Sequence, residues 1–162
     1  MTVTYDRIAT TTLGSATASI TFSSISSAYT DLVLISNAKA TVSGTNLMFR
    51  FNSDSGTNYG ATMIKGNGTA ASAYRYSNGT NGQIGEYNNV QFGTYITNFQ
   101  NYSNTTTFKT VLTRSNVAND HTSAWVSLWR STSAVNSISV VSDGGNIESG
   151  STFTLYGIAR EV

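Results

Sequence analysis

The sequence contains no cysteine and no proline, and only 10% of its residues are charged, against roughly 25% in ordinary soluble domains. Each shortage excludes something. Without cysteine there is no disulfide framework and no thiol nucleophile, which suits folding in a reducing cytoplasm. Without proline or dense charge, exposed strand edges must be guarded by other means, and self-association is one of them. The net charge is +1 and the basic residues are scattered singly from Arg7 to Arg160. No patch is present to pair with a phosphate backbone, so nucleic acid is not an expected partner. No apolar run reaches the length of a membrane span, and the opening MTVTYDRIATTT lacks the basic and apolar regions of a signal peptide. The expectation is a chain made in the cytoplasm, not inserted in a membrane and not exported by a signal of its own.

Neutral polar groups stand where charge is missing: the chain has 23 Ser, 25 Thr and 16 Asn. Such a composition alone would suit a disordered segment. Nine Tyr, seven Phe and two Trp are spread along it, however, and disordered chains are poor in aromatic and branched residues. A length of 162 residues is enough for one domain with its own core. There is no repeat of fixed period, no linker and no composition break, so residues 1–162 read as a single domain.

Period two dominates the pattern, as half-buried strands require. In NLMFRFN, Leu47, Phe49 and Phe51 share one face while Met48 and Arg50 share the other. TASITF groups Ala18, Ile20 and Phe22; FKTVLTR sets Phe108, Thr110 and Leu112 against Lys109, Val111 and Thr113; SAWVSLWRS separates Trp125, Ser127 and Trp129 from Val126, Leu128 and Arg130. DLVLISNA, YGATMIK, SAYRYS, QFGTYITNF, SISVVS and STFTLYGIA keep the β-branched and aromatic bias of strands. Near the carboxy terminus, Phe153, Leu155, Gly157 and Ala159 alternate with Thr154, Tyr156, Ile158 and Arg160, which predicts a strand inside the fold. Turn clusters such as VSGTN, KGNGT, SNGTNG, NVAND and SDGGN separate these segments. No stretch carries a helical stripe; at most Ser23 to Asp31 forms one turn. The pattern predicts an all-β antiparallel sandwich or jelly roll.

Few residues invite a chemical role. RFNSDSGTNY, Arg50 to Tyr59, places Asn52, Asp54, Gly56 and Asn58 in part of a calcium-loop pattern, but it has one carboxylate and no terminal bidentate acid. The competing reading is the turn of a hairpin between the strands at Leu47 and Tyr59, for which Asp54, Ser55 and Gly56 are suitable residues. The one histidine, His121 in NDHTS, reads as a surface turn residue in the absence of a nucleophile elbow. The acids Asp6, Asp31, Asp54, Asp120, Asp143, Glu86, Glu148 and Glu161 would have to supply a facing pair for glycoside hydrolysis, and the expectation is no enzymatic activity. No Walker pattern, dinucleotide fingerprint or Cys/His cluster is present, so no cofactor and no metal site is expected. Tyr74, Tyr76, Tyr87 and Tyr95 are the candidate contact residues: on loops or an outer sheet face they would stack on sugar rings or form an interface core, while inside the fold they would only pack.

Several phrases together resemble small β-sandwich modules of tailed-bacteriophage virions. They are YDRIATTTLGSATASITFSSISSAYTDLVLISNA, RFNSDSGTNY and SGSTFTLYGIAREV. The resemblance spans the chain and is strongest at its two ends. It implies a non-enzymatic virion protein, usually a homotrimer. Most such modules are capsid decoration (cement) proteins or heads of tail fibres and spikes. It also implies that Asn52, Asp54 and Gly56 form a structural turn. A free-standing module suits a cement protein that binds the major capsid protein on the outer surface of the shell, after synthesis in the host cytoplasm. The alternative is a receptor-binding head on the tail that recognises a host surface glycan.

Overall fold

A computed structural model describes residues 4–159. Among these residues there are twelve strands and no helix. The strands are β1 (Tyr5–Thr12), β2 (Ser19–Phe22), β3 (Tyr29–Ala38), β4 (Thr45–Phe51), β5 (Tyr59–Gly66), β6 (Ala71–Gly79), β7 (Gly82–Tyr87), β8 (Gly93–Phe99), β9 (Lys109–Val117), β10 (His121–Trp129), β11 (Ile138–Ser142) and β12 (Thr152–Ala159). They form two antiparallel sheets in a sandwich-like arrangement, one ordered β1-β12-β3-β8-β9-β10-β5-β6 and one ordered β2-β11-β4-β7.

The core lies between the sheets and is built by the alternation. Leu47, Phe49 and Phe51 of β4 turn inward together against Phe99 and Trp129. The Phe49 and Phe99 rings meet edge to face at 5.5 Å, as do Phe51 and Trp129 at 5.2 Å, each such pair adding about 0.5–1.5 kcal/mol beyond area burial. On β12, Phe153, Leu155 and Gly157 face inward, and the strand is paired on both sides, to β1 and to β3. The side chain of Ala159, and Arg160, lie outside the described residues. In β9 the faces fall opposite to hydrophobicity: Lys109, Val111 and Thr113 are buried while Phe108, which precedes the strand, and Leu112 are exposed. The Lys109 ammonium donates to the carbonyls of Thr107 at 2.8 Å and Thr132 at 3.3 Å, and burial lowers its pKa.

Two expectations need correction. RFNSDSGTNY is not a hairpin: β4 belongs to the small sheet and β5 to the large one, so the segment carries the chain across the sandwich. It is fastened there because Tyr59 accepts a bond at its hydroxyl from the Phe51 N–H at 2.9 Å and Asn52 reaches the segment after β10. His121 is buried, since it opens β10 with its side chain facing inward.

Three of the four sheet edges are blunted without proline, and β6 is left open at the end of the large sheet. β2 has only four residues, and the pairing of β1 with β12 is interrupted by a register shift between Arg7 and Ala9. The edge of β7 is capped by side chains of the facing sheet. Ser127 Oγ accepts from the Gln83 N–H at 3.0 Å and donates to the Gln83 carbonyl at 3.4 Å, while the Tyr95 hydroxyl donates to the Glu86 carbonyl at 3.0 Å.

Candidate functional site

The hairpin β5–β6 extends the large sheet past β10, whereas the small sheet stops at β7. β7 packs over β9 and β10, so the inner face of the overhanging hairpin is only partly covered. A groove of about 740 Å³ runs between β6 on one side and β4 and β7 on the other.

Strand alternation decides what points into it. Tyr74 and Tyr76 lie two residues apart on β6, opposite Met63 and Ala61 of β5, and Met63 is itself opposite Trp125 of β10. Ala61, Met63 and Trp125 form a small buried cluster separate from the main core, with Tyr76 packed against it. This cluster is the floor of the groove. Tyr76 is fixed by donating its hydroxyl to the Asn81 carbonyl at 2.6 Å, and its ring lies so close to Gly79 that a Cβ there would sit 2.3 Å from it. Burial raises the pKa of the Tyr76 phenol against the opposing pull of a Gln83 hydrogen bond. Tyr74 is unfastened and 58% exposed, its ring 6.3 Å from that of Tyr76.

The opposite wall is polar. Lys65 and Glu86 form an ion pair at 2.5 Å. Asp143 accepts from the backbone N–H and the side-chain amide of Asn46 at 2.6 and 2.7 Å. Gln83 is 8% exposed and lines the groove, yet its Oε1 has no hydrogen-bond partner. An aromatic wall with a platform ring, an apolar floor and a row of polar groups is suited to holding a ligand.

Of the four tyrosines singled out in the sequence, the structure brings Tyr74 and Tyr76 together in this groove. Tyr87 and Tyr95 are buried core residues and form no part of the surface. Their hydroxyls are struts, bonded to Ser142 Oγ at 2.5 Å and to the Glu86 carbonyl, and burial raises both pKa values. The groove also uses Gln83 on β7, which the sequence did not single out, and Glu86, which was named only among the acids and not as a contact residue. Their segment, GQIGEY, has two glycines and two polar residues and shows no strand signal; the alternation of Trp125 was visible, but not its place under the groove.

The other candidate residues disperse. Asn52 binds the segment after β10, accepting from the N–H groups of Asn136 at 2.9 Å and Ser137 at 3.2 Å. Asp54 accepts from Trp129 Nε1 at 2.6 Å, Asn58 Nδ2 at 2.9 Å and the Gly56 N–H at 2.8 Å. Asn52 thus fastens the segment after β10, while Asp54 is bonded to Asn58, Gly56 and Trp129. His121 has Nδ1 3.5 Å from Asp120 and no partner at Nε2. Asp6 receives the Tyr29 hydroxyl and Asp31 the Asn101 N–H; Glu161 lies outside the described residues. Glu86 and Asp143 border the same groove, each held by its own partner.

No family model matches the chain and no curated protein matches it.

Proposed function

We propose that the chain is a non-enzymatic structural protein of a tailed-phage virion, assembled as a homotrimer and attached to the capsid shell as a decoration protein. The observation that carries this reading is the outer face of the large sheet. Register places Ile35, Ile96, Arg114, Ala124 and Ile64 in one row across five strands, and Val33, Asn98, Leu112, Val126 and Thr62 in the next. Ile64 is 66% exposed, and Ile35, Leu112 and Val126 are exposed with it. Val33 is buried and Arg114 and Asn98 interrupt the rows, but the exposed apolar side chains of Ile35, Leu112, Val126 and Ile64 suit an interaction surface, and a second copy is the occupant proposed for it.

Topology supports the same reading by analogy. With the hairpins β5–β6 and β9–β10 set aside, the first of the remaining eight strands pairs with the last, β2 with β11, β3 with β8 and β4 with β7. Such pairing is what one antiparallel ribbon rolled up as a jelly roll would produce, an architecture common in viral capsid and lectin domains. The two added hairpins supply most of the apolar outer face. The resemblance of the two chain ends to phage virion modules points the same way.

Sedimentation of the purified protein tests the assembly. The expected result is a species three times the 17.3 kDa chain mass, shifted to monomer by Val126→Asp with the fold intact; a wild-type chain that sediments only at 17.3 kDa contradicts the trimer. The groove beside Tyr74 favours a second reading, the receptor-binding head of a tail fibre or spike, whose signature is binding to host cells and not to capsids.

A further inference from the structure

We infer that the groove between β6 and β7 is a binding site for a neutral saccharide, a ligand class that deepens the second reading above and does not rest on the capsid role. Its walls select this chemistry in three steps. Gln83 Oε1 is a buried acceptor with no donor, an unfavourable situation in a folded protein. A ligand that brings a donor into the groove would supply the partner that this oxygen lacks. Hydroxyl groups are such donors. A quaternary ammonium, which aromatic rings also attract, has none and would leave Gln83 unpaired.

The second selection is electrostatic. Lys65 and Glu86 neutralise each other at 2.5 Å, and Asp143, bound to Asn46, leaves the rim with an unbalanced negative charge. Phosphate, sulfate and carboxylate ligands are therefore disfavoured. The third is shape and surface. The exposed Tyr74 ring, with Tyr76 beside it over Met63 and Trp125, offers an apolar platform for the C–H face of a pyranose.

An NMR titration tests the site, with glucose, galactose and mannose di- and trisaccharides as probes and sialyllactose as the anionic control. The expected result is a saturable shift confined to the Trp125 indole, the Gln83 side-chain amide and the β6 amides, with sialyllactose weaker than lactose. Tyr74 is exposed, so Tyr74→Ala keeps the fold and weakens binding by about tenfold; Gln83→Met weakens it as well. The inference is overturned if no neutral probe moves these resonances, if binding survives Tyr74→Ala unchanged, or if sialyllactose binds more tightly than lactose. Capsid binding that persists in Tyr74→Ala separates this site from the structural role.

Discussion

Asp54 gathers an indole, an amide and a backbone N–H from three places in the chain, and its titration follows from them. Partial burial raises the pKa of its carboxyl, but the bonds from Trp129, Asn58 and Gly56 outweigh that and hold the folded-state value below the ordinary 3.8. Near that pH the unfolded chain binds more protons than the folded one, so stability rises with pH. The contribution is fully present above the unfolded value and is lost as pH falls through the folded one. Asp54→Asn should therefore lower stability at neutral pH and flatten its decline below about pH 5; equal acid sensitivity in denaturant melts of both proteins would contradict this. Leu155, fully buried on a doubly paired strand, should cost about 2–5 kcal/mol when cut to Ala, and an unchanged melting temperature would remove it from the core. Residue types were legible where the backbone sets the role, as in the turn chemistry of Asn52 to Gly56. Sidedness was not. Tyr87 and Tyr95 carry the same polar tip as Tyr74, and only tertiary partners at Ser142 and Glu86 draw them inside.

At the scale of elements, nearly every strand with an aromatic or β-branched alternation was visible, and β7 was not. Its two glycines lie against the Phe49 ring and Ser115, where an added Cβ would sit 2.1 and 2.7 Å away. Close packing therefore excluded the side chains that would have announced a strand. Ser127 is what fastens β7 to the facing sheet. Ser127→Ala leaves the Gln83 N–H and carbonyl without that partner, and a loss of about 1–3 kcal/mol is expected, with β7 amides exchanging faster. Unchanged exchange along Gly82–Tyr87 would show that the hydroxyl does not hold the edge. The two added hairpins were each readable as strands, but their joining into an overhang depends on pairing between β10 and β5, which no local pattern records. The groove exists because of that pairing.

For the whole molecule, the sandwich buries phenols. Burial foremost raises the pKa values of Tyr59, Tyr76, Tyr87 and Tyr95 above 10.0. Their stabilisation is present below the unfolded value and is lost as pH rises through the folded ones. In an ultraviolet titration these phenols should ionise together with unfolding, and gradual ionisation of all tyrosines with the fold retained would contradict their burial. The neutral hydroxyl-rich surface and the exposed apolar side chains of the outer sheet face belong to the same account: a hydrated exterior with a face that the proposed trimer would cover. The most direct measurement of that account is co-sedimentation of the purified protein with undecorated phage capsids beside a pull-down on host cells. Saturable capsid binding, reduced by Val126→Asp and without cell binding, is the predicted result; cell binding with none to capsids would contradict it and place the protein on the tail.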